Sequence, residues 1–254
     1  MTIVTQPLGQ AGFRLEFGAT VVYIDPYLSN SVAKLDGDDL ERLIPIPILP
    51  ERLVDADWVF ISHLHLDHCD PDTLLPISIA SAHCRFVCPR EVKLFLADLG
   101  ISPDRILVAE ENWMEIGPSL QVRAVPSAHP AVERDEVGCL RCVGYVIDYN
   151  NRLIYHAGDT SPAIDVINVI KALGNIDVAL LPVNERNFYR DQRGIIGNMS
   201  LREAFQMALD IGAKVVVPMH WDMFAPNSVF LEEIELLYRL IKPDFEMLIR
   251  PQKI

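Results

Sequence analysis

The sequence predicts a single mixed α/β domain over residues 1–254, and three observations carry that prediction. Half of the 254 residues are hydrophobic, enough to bury a full core. Short apolar runs rich in β-branched and aromatic residues, such as 57–61 and 178–183, recur at strand length. Between them lie stretches with helical start and stop signals, among them the capping-box pattern Ser200-Leu201-Arg202-Glu203.

Taken in order, Phe13, Leu15 and Phe17 alternate, Gly18-Ala19-Thr20 turns and 21–24 returns, so a hairpin opens the chain. Residues 27–52 carry Asp36-Gly37-Asp38-Asp39 and then Pro45, Pro47 and Pro50. Those prolines exclude a long regular helix and favour an extended loop, a candidate lid or substrate wall. A strand over 57–61 precedes helical patterns at 72–80 and 90–99, the second stopped by Gly100, where a left-handed cap has no Cβ penalty. Residues 106–108, 113–116 and 120–125 read as strands, with Gly117-Pro118-Ser119 as a turn, and 131–139 as an acidic loop. Strands at 143–147 and 153–155 flank Asn150-Asn151, a dipeptide that tolerates positive φ. A helix is expected from Pro162 to 173, the proline suiting its first turn. Then come a strand at 178–183, the capped helix to about 211 with Gly212 as its stop, a strand at 214–217, a helix at 229–241 and a strand at 245–249.

Charge and composition exclude some classes. A formal charge of -13, from 35 acidic and 22 basic residues, disfavours a nucleic-acid or anionic-membrane surface, which needs clustered Lys and Arg. No apolar run approaches the roughly 18 residues of a membrane span. The first eight residues lack the basic start and apolar core of a signal peptide, so a cytoplasmic protein is expected. Five cysteines, Cys69, Cys84, Cys88, Cys139 and Cys142, point to reduced thiols. Cys84-x3-Cys88 with Cys139-x2-Cys142 is a second candidate zinc set, opposed by the strand pattern Arg85-Phe86-Val87 between its first pair.

The chemistry concentrates in Ser62-His63-Leu64-His65-Leu66-Asp67-His68. In extended chain His63 and His65 point the same way, so both rings reach one ion. Asp67 and His68 follow where the chain must turn, and face a second position. A lone histidine is usually an ordinary surface or core residue. Four ligand-type residues in six positions are not explained that way. His129 in Pro126-Ser127-Ala128-His129-Pro130, Asp159 in His156-Ala157-Gly158-Asp159-Thr160 and His220 in Pro218-Met219-His220-Trp221-Asp222 each follow a predicted strand. Ligands at successive strand ends converge on one rim.

This set resembles the metallo-β-lactamase superfamily, whose pattern is H-x-H-x-D-H followed by a lone His, a lone Asp and a lone His. The resemblance spans almost the whole chain, in the right order. It implies a four-layered αβ/βα sandwich with metals at one edge between two similar halves. It also implies that His63, His65 and His129 bind one ion, that Asp67, His68 and His220 bind another, and that Asp159 bridges them. Asp25 of Asp25-Pro26 would buttress the histidine loop, an ordinary Asp-Pro turn being the alternative. His156, on the strand before Gly158, is a further ligand candidate, read instead as a buried residue that supports the site by hydrogen bonding. All donors are N or O, which suits Mn²⁺, Zn²⁺ and Fe²⁺. Mn²⁺ or Zn²⁺, one or two ions per chain, is the expected cofactor.

Residues 182–193 form a loop with three arginines ahead of the capped helix. Arginine forks suit phosphate or carboxylate and a helix start adds N–H groups, so Asn184, Arg186, Arg190, Arg193 and Asn198 are candidate substrate contacts. A solvated charged loop is the alternative. Asn198-Met199-Ser200 and Pro218-Met219-His220-Trp221-Asp222-Met223-Phe224 narrow the resemblance to a branch that includes the L-ascorbate-6-phosphate lactonases, which are cytoplasmic, metal-dependent and oligomeric. That branch implies a homo-oligomeric hydrolase in which metal-generated hydroxide opens a small anionic lactone, a phosphorylated sugar acid among the candidates, with Asp67 and Asp159 at the reaction. This chain is shorter than those lactonases, and nothing in it identifies the sugar ring. The rival readings are a phosphodiesterase acting on a cyclic nucleotide or other small diester, and a non-hydrolytic metal-binding module.

Overall fold

Alternation along single strands divides the apolar residues between two cores. Trp58 and Phe60 turn to one side of their strand while Val59 and Ile61 turn to the other, and Val87 opposes Phe86 and Cys88 in the same way. Strands buried on both faces read as continuous apolar runs, and that burial requires two layers of cover. The computed structural model describes residues 2–254, so Met1 of the opening stretch and the side chain of Asp38 lie outside the description.

Among the described residues one sheet contains β1 (Val4–Gly9), β2 (Gly12–Phe17), β3 (Thr20–Ile24), β4 (Trp58–Phe60), β5 (Arg85–Cys88) and β6 (Ile106–Val108), in that spatial order. The other contains β7 (Met114–Gly117), β8 (Leu120–Pro126), β9 (Val143–Tyr149), β10 (Arg152–His156), β11 (Val178–Pro182), β12 (Val215–Met219) and β13 (Glu246–Met247), also neighbour to neighbour. Each sheet begins antiparallel and ends parallel, the change falling at β3–β4 in one and β10–β11 in the other. The two halves are therefore built alike.

Helices supply the outer layers and the parallel crossovers. They are α1 (Ser31–Asp36), α2 (Pro71–Ala80), α3 (Arg90–Asp98), α4 (Ile164–Lys171), α5 (Phe188–Asp191), α6 (Leu201–Asp210) and α7 (Leu231–Ile241). Leu74 and Ile77 of α2 and Val92 and Leu96 of α3 pack on the outer face of the first sheet. Val166 and Ile170 of α4, Phe205 of α6 and Ile234 of α7 join the larger core with the second sheet. The sheets face each other through Phe13, Leu15 and Phe60 on one side and Val122, Tyr145 and Ile147 on the other. The Trp58 indole N–H donates across to the Ile116 carbonyl at 2.9 Å, and the Tyr145 hydroxyl donates to the Ile61 carbonyl at 2.7 Å. The result is the four-layered αβ/βα arrangement the resemblance implies.

Several boundaries differ from expectation. The sequence pattern gives no sign of β1, whose Pro7 and Gly9 break the apolar alternation; it is an edge strand, where a missing N–H is tolerated. The 27–52 segment has no long helix, but it does hold α1 and short 3-10 turns at Asp38–Leu40 and Pro50–Arg52. Pro162 does not open α4. Ser161 N–H donates to the Ala128 carbonyl at 2.7 Å and Ala163 is extended, so the chain stays out of helical geometry until Ile164. The last strand has only two residues, and beyond it Arg250 turns through a positive φ of 46° and donates to Asp222. Loop 182–193 is not wholly irregular, since α5 interrupts it with an Asn187 N-cap. Ser200 caps α6 as its sequence requires, with Glu203 closing the box.

Candidate metal centre

The candidate ligands sit where strands end, on the edge between the two sheets. His63 to His68 follow β4, His129 follows β8, Asp159 follows β10 and His220 follows β12. Two tight backbone positions aim the last two: Gly158 has φ 58° and His220 has φ 61°. A Cβ on Gly158 would lie 2.6 Å from the Val143 carbonyl oxygen and 2.9 Å from Ser62 Cβ, so only glycine lets the Asp159 turn approach the histidine loop. In the histidine loop, Cys69 N–H and His68 N–H both donate to the His65 carbonyl, which curls the chain and swings Asp67 and His68 away from His63 and His65.

The structure brings all seven side chains together as two adjoining groups. His63, His65, His129 and Asp159 form one; Asp67, His68 and His220 form the other, with potential ligand atoms inside each group within 4.8 Å of one another. Asp159 presents one oxygen to each group. Its Oδ2 lies 3.7 Å from His129 Nε2, while its Oδ1 lies 3.2 Å from His220 Nε2 and 3.4 Å from His68 Nε2. Asp67 Oδ2 is 3.3 Å from His220 Nε2. Among the described residues no such group contains a cysteine, and all five cysteines are free, so the Cys84–Cys88–Cys139–Cys142 set does not assemble.

Electrostatics ties these groups into a shared balance. Burial holds His63 well below the ordinary imidazole range and pushes His129 down to about 4. Burial acts the same way on His68 and His220, but Asp159 and Asp67 override it, raising His68 well above its ordinary value and His220 to about 9. The same rings hold both carboxylates ionised although burial opposes it. Asp159, buried, and Asp67, half-buried, therefore call for positive charge between them. His63 Nε2 and Asp159 Oδ1 are also buried without an aligned hydrogen-bond partner, which costs about 1–3 kcal/mol apiece. A divalent cation would answer both needs, so the donor set fits a metal.

Outer contacts fix the rings. Asp25, fully buried, accepts from the Ser62 backbone N–H at Oδ1 (2.7 Å) and from the Ser62 hydroxyl at Oδ2 (2.6 Å), and its Oδ2 lies 2.8 Å from His68 Nδ1. His63 Nδ1 lies 2.9 Å from Ser62 Oγ. His156 donates from Nε2 to the Ala11 carbonyl and accepts the Gly158 N–H at Nδ1, so it braces the Asp159 turn. Asp25→Asn should lower metal affinity by about 10- to 100-fold, because the amide cannot both accept from Ser62 and orient His68. Titration calorimetry checks this, and an unchanged affinity would rule out the orienting role.

A family profile described as the β-lactamase superfamily domain matches residues 20–221. The chain belongs to the metallo-β-lactamase superfamily. A metal-dependent hydrolase of Alkaliphilus metalliredigens is 30% identical over 226 residues, which span 82% of this chain and 92% of that one. A solved metallo hydrolase from the archaeon Ignicoccus hospitalis superposes with a TM-score of 0.75 at 21% identity, covering 100% of this chain and 98% of its own. An isothiocyanate hydrolase from Delia radicum gut bacteria gives a TM-score of 0.74 at 16% identity, covering 100% and 98% respectively. At those identities the two solved structures share the fold alone.

In this superfamily chain an open pocket of about 420 Å³ lies over the centre, reaching His65, Asp67, Asp159 and His220. Of the five residues expected at a substrate, the structure places only Arg193 on its wall. Asn198 is buried, with Oδ1 3.1 Å from His129 Nδ1, and its amide N–H donates to Asn184 Oδ1 at 2.9 Å. Asn184 in turn donates to Asn227, so the two asparagines hold His129 from behind and do not face a ligand. Arg190 is also buried, spending its guanidinium on the carbonyls of Glu185, Pro226 and Ser228. Arg186 is exposed and away from the pocket wall. Sequence reasoning missed Gln10, which reaches Asp67 and His220 from the β1–β2 turn. The only available signal was a polar residue enclosed by Gly9, Ala11 and Gly12.

Proposed function

We propose that this metal-dependent hydrolase opens a small lactone that carries one anionic group. The observation that carries the reading is the composition of the pocket above the seven donors. Val32, Leu40, Leu66, Ile195, Ile196 and Phe224 line it beside Asp36, Asn227 and the candidate ligands, and among the described residues Arg193 is the one arginine or lysine on the wall. Such a wall suits a small ring with one apolar face on these six side chains and polar groups turned toward Asn227 and the ligands. Arg193 is held in place by stacking on Tyr189, 3.7 Å from the ring centroid, and by donating to the Tyr189 carbonyl. Its remaining N–H groups suit a carboxylate or phosphate.

His63, His65 and His129 would hold one ion, Asp67, His68 and His220 a second, with Asp159 between them; N and O donors suit Mn²⁺ or Zn²⁺. Divalent ions there would supply Lewis acidity at the carbonyl and a hydroxide nucleophile at neutral pH. The chain's own part is positional and protolytic. Asn198, Asp25 and Ser62 keep the rings in register, Arg193 anchors the anionic end, and the apolar side chains pack against the body of the ring. Asp67, with 18% of its side chain exposed against 4% for Asp159, would accept the proton of the added hydroxyl group and deliver it to the departing alkoxide.

A panel tests this: a carboxylated lactone, a neutral lactone of equal size and bis-p-nitrophenyl phosphate, each with added Mn²⁺ or Zn²⁺. The carboxylated lactone should be the best substrate. Arg193→Ala should raise its KM about tenfold, on the order of 1.4 kcal/mol, and leave the neutral lactone unchanged. Diester turnover without lactone turnover would overturn the assignment in favour of a phosphodiesterase.

A further inference from the structure

The first hairpin delivers to the centre a polar side chain that belongs to neither ligand group. Gln10 sits at the turn between β1 and β2, is 4% exposed and holds a left-handed φ of 56° beside Gly9 at 92°. A non-glycine residue keeps that conformation only where its surroundings over-determine it. Here they do. Gln10 N–H donates to Asp222 Oδ1 at 3.1 Å, and the Gln10 carbonyl accepts the His220 N–H at 2.8 Å. Asp222 is in turn clamped by Arg250, whose Nε and Nη2 donate to its Oδ2 at 3.1 and 2.8 Å. The turn is therefore strapped to the segment that carries His220.

The strap aims the carboxamide at one group of ligands only. Gln10 Nε2 lies 2.6 Å from Asp67 Oδ2 and 3.1 Å from His220 Nε2, the atoms through which those residues face the candidate ion. The other histidine rings with a buried outer nitrogen have it held: His63 by Ser62, His68 by Asp25 and His129 by Asn198. His220 Nδ1 is buried with no partner. Among the described residues Gln10 is thus the one polar side chain besides the ligands that fixes His220 and Asp67 at their metal-facing atoms. Once a cation takes those atoms, an amide N–H directed at it is repelled, and rotation about the last torsion presents the oxygen instead.

We propose that Gln10 is an additional neutral oxygen donor of the Asp67–His68–His220 group and governs how tightly that group holds its ion. This rests on the reading of the seven side chains as a two-ion centre. The first group is dominated by imidazoles, whereas the second would combine two imidazoles with carboxylate and amide oxygens, a set that suits the harder Mn²⁺.

The test is Mn²⁺ titration of the metal-stripped full chain, followed by calorimetry and electron paramagnetic resonance, for wild type, Gln10→Leu and Gln10→Glu. Wild type should bind two ions and give an exchange-coupled signal. In Gln10→Leu the second ion should weaken at least tenfold while the first changes less than twofold, leaving the six-line signal of an isolated ion at one equivalent. Gln10→Glu, equal in size and anionic, should restore the second ion. Two ions bound by Gln10→Leu with wild-type affinities would overturn this inference and leave the two-ion centre standing. Equal damage in Gln10→Leu and Gln10→Glu would also overturn it, by showing that Gln10 serves only the shape of the turn. If wild type itself binds no ion, the underlying reading fails instead.

Discussion

Asp159→Asn should lower kcat/KM by about three orders of magnitude, on the order of 4 kcal/mol of transition-state stabilisation. Asparagine keeps the size of the side chain, so the loss would come from charge. Asp159 is 4% exposed and points one oxygen at each ligand group. An amide in its place presents one acceptor and one donor, and the donor faces whichever cation lies on its side. Steady-state kinetics with metal analysis by mass spectrometry checks the prediction. A variant within tenfold of wild type, at full metal content, would mean that Asp159 does not join the two halves of the centre.

Stripping the metals should lower the melting temperature by roughly 10 °C. The ligands come from β4, β8, β10 and β12, so an ion there cross-links the two sheets in the folded chain and has no comparable site in the unfolded one. With ions at about 1,000 times their dissociation constant, linkage supplies about 4 kcal/mol. For a chain of this size each kcal/mol moves the midpoint by about 2–4 °C. Calorimetric scans with excess Mn²⁺ and with a chelator measure the difference. Coincident scans would show that the donors do not hold an ion tightly enough to matter to the fold.

The sequence exposes the site residues that carry their chemistry locally. His63, His65, Asp67 and His68 lie within six positions, and His129, Asp159 and His220 each close a run of apolar residues, so strand ends could be paired with donors without knowing the register. What could not be read is direction. Asn184, Asn198 and Arg190 are polar residues in a polar stretch, and nothing in composition separates a side chain facing solvent from one turned inward onto carbonyls or His129. Long-range pairing is equally hidden. Gln10 matters because β1 and β2 lie beside the His220 segment, a contact between residues more than two hundred positions apart. The β2–β3 hairpin, the capped α6 and the Asn150-Asn151 turn were legible because each is decided by neighbours in sequence. Pro162 misleads for the same reason: its ring suits a first helical turn, but a distant Ala128 carbonyl holds Ser161 in extended chain.

Divalent ions are expected to lie among these seven side chains. Anomalous diffraction from crystals grown with Mn²⁺, recorded on both sides of the manganese edge, tests it directly. The expected result is two peaks, one within coordination distance of His63, His65 and His129, the other of Asp67, His68 and His220, each touching an oxygen of Asp159. Occupied manganese elsewhere on the protein, with no peak among these residues, would contradict it.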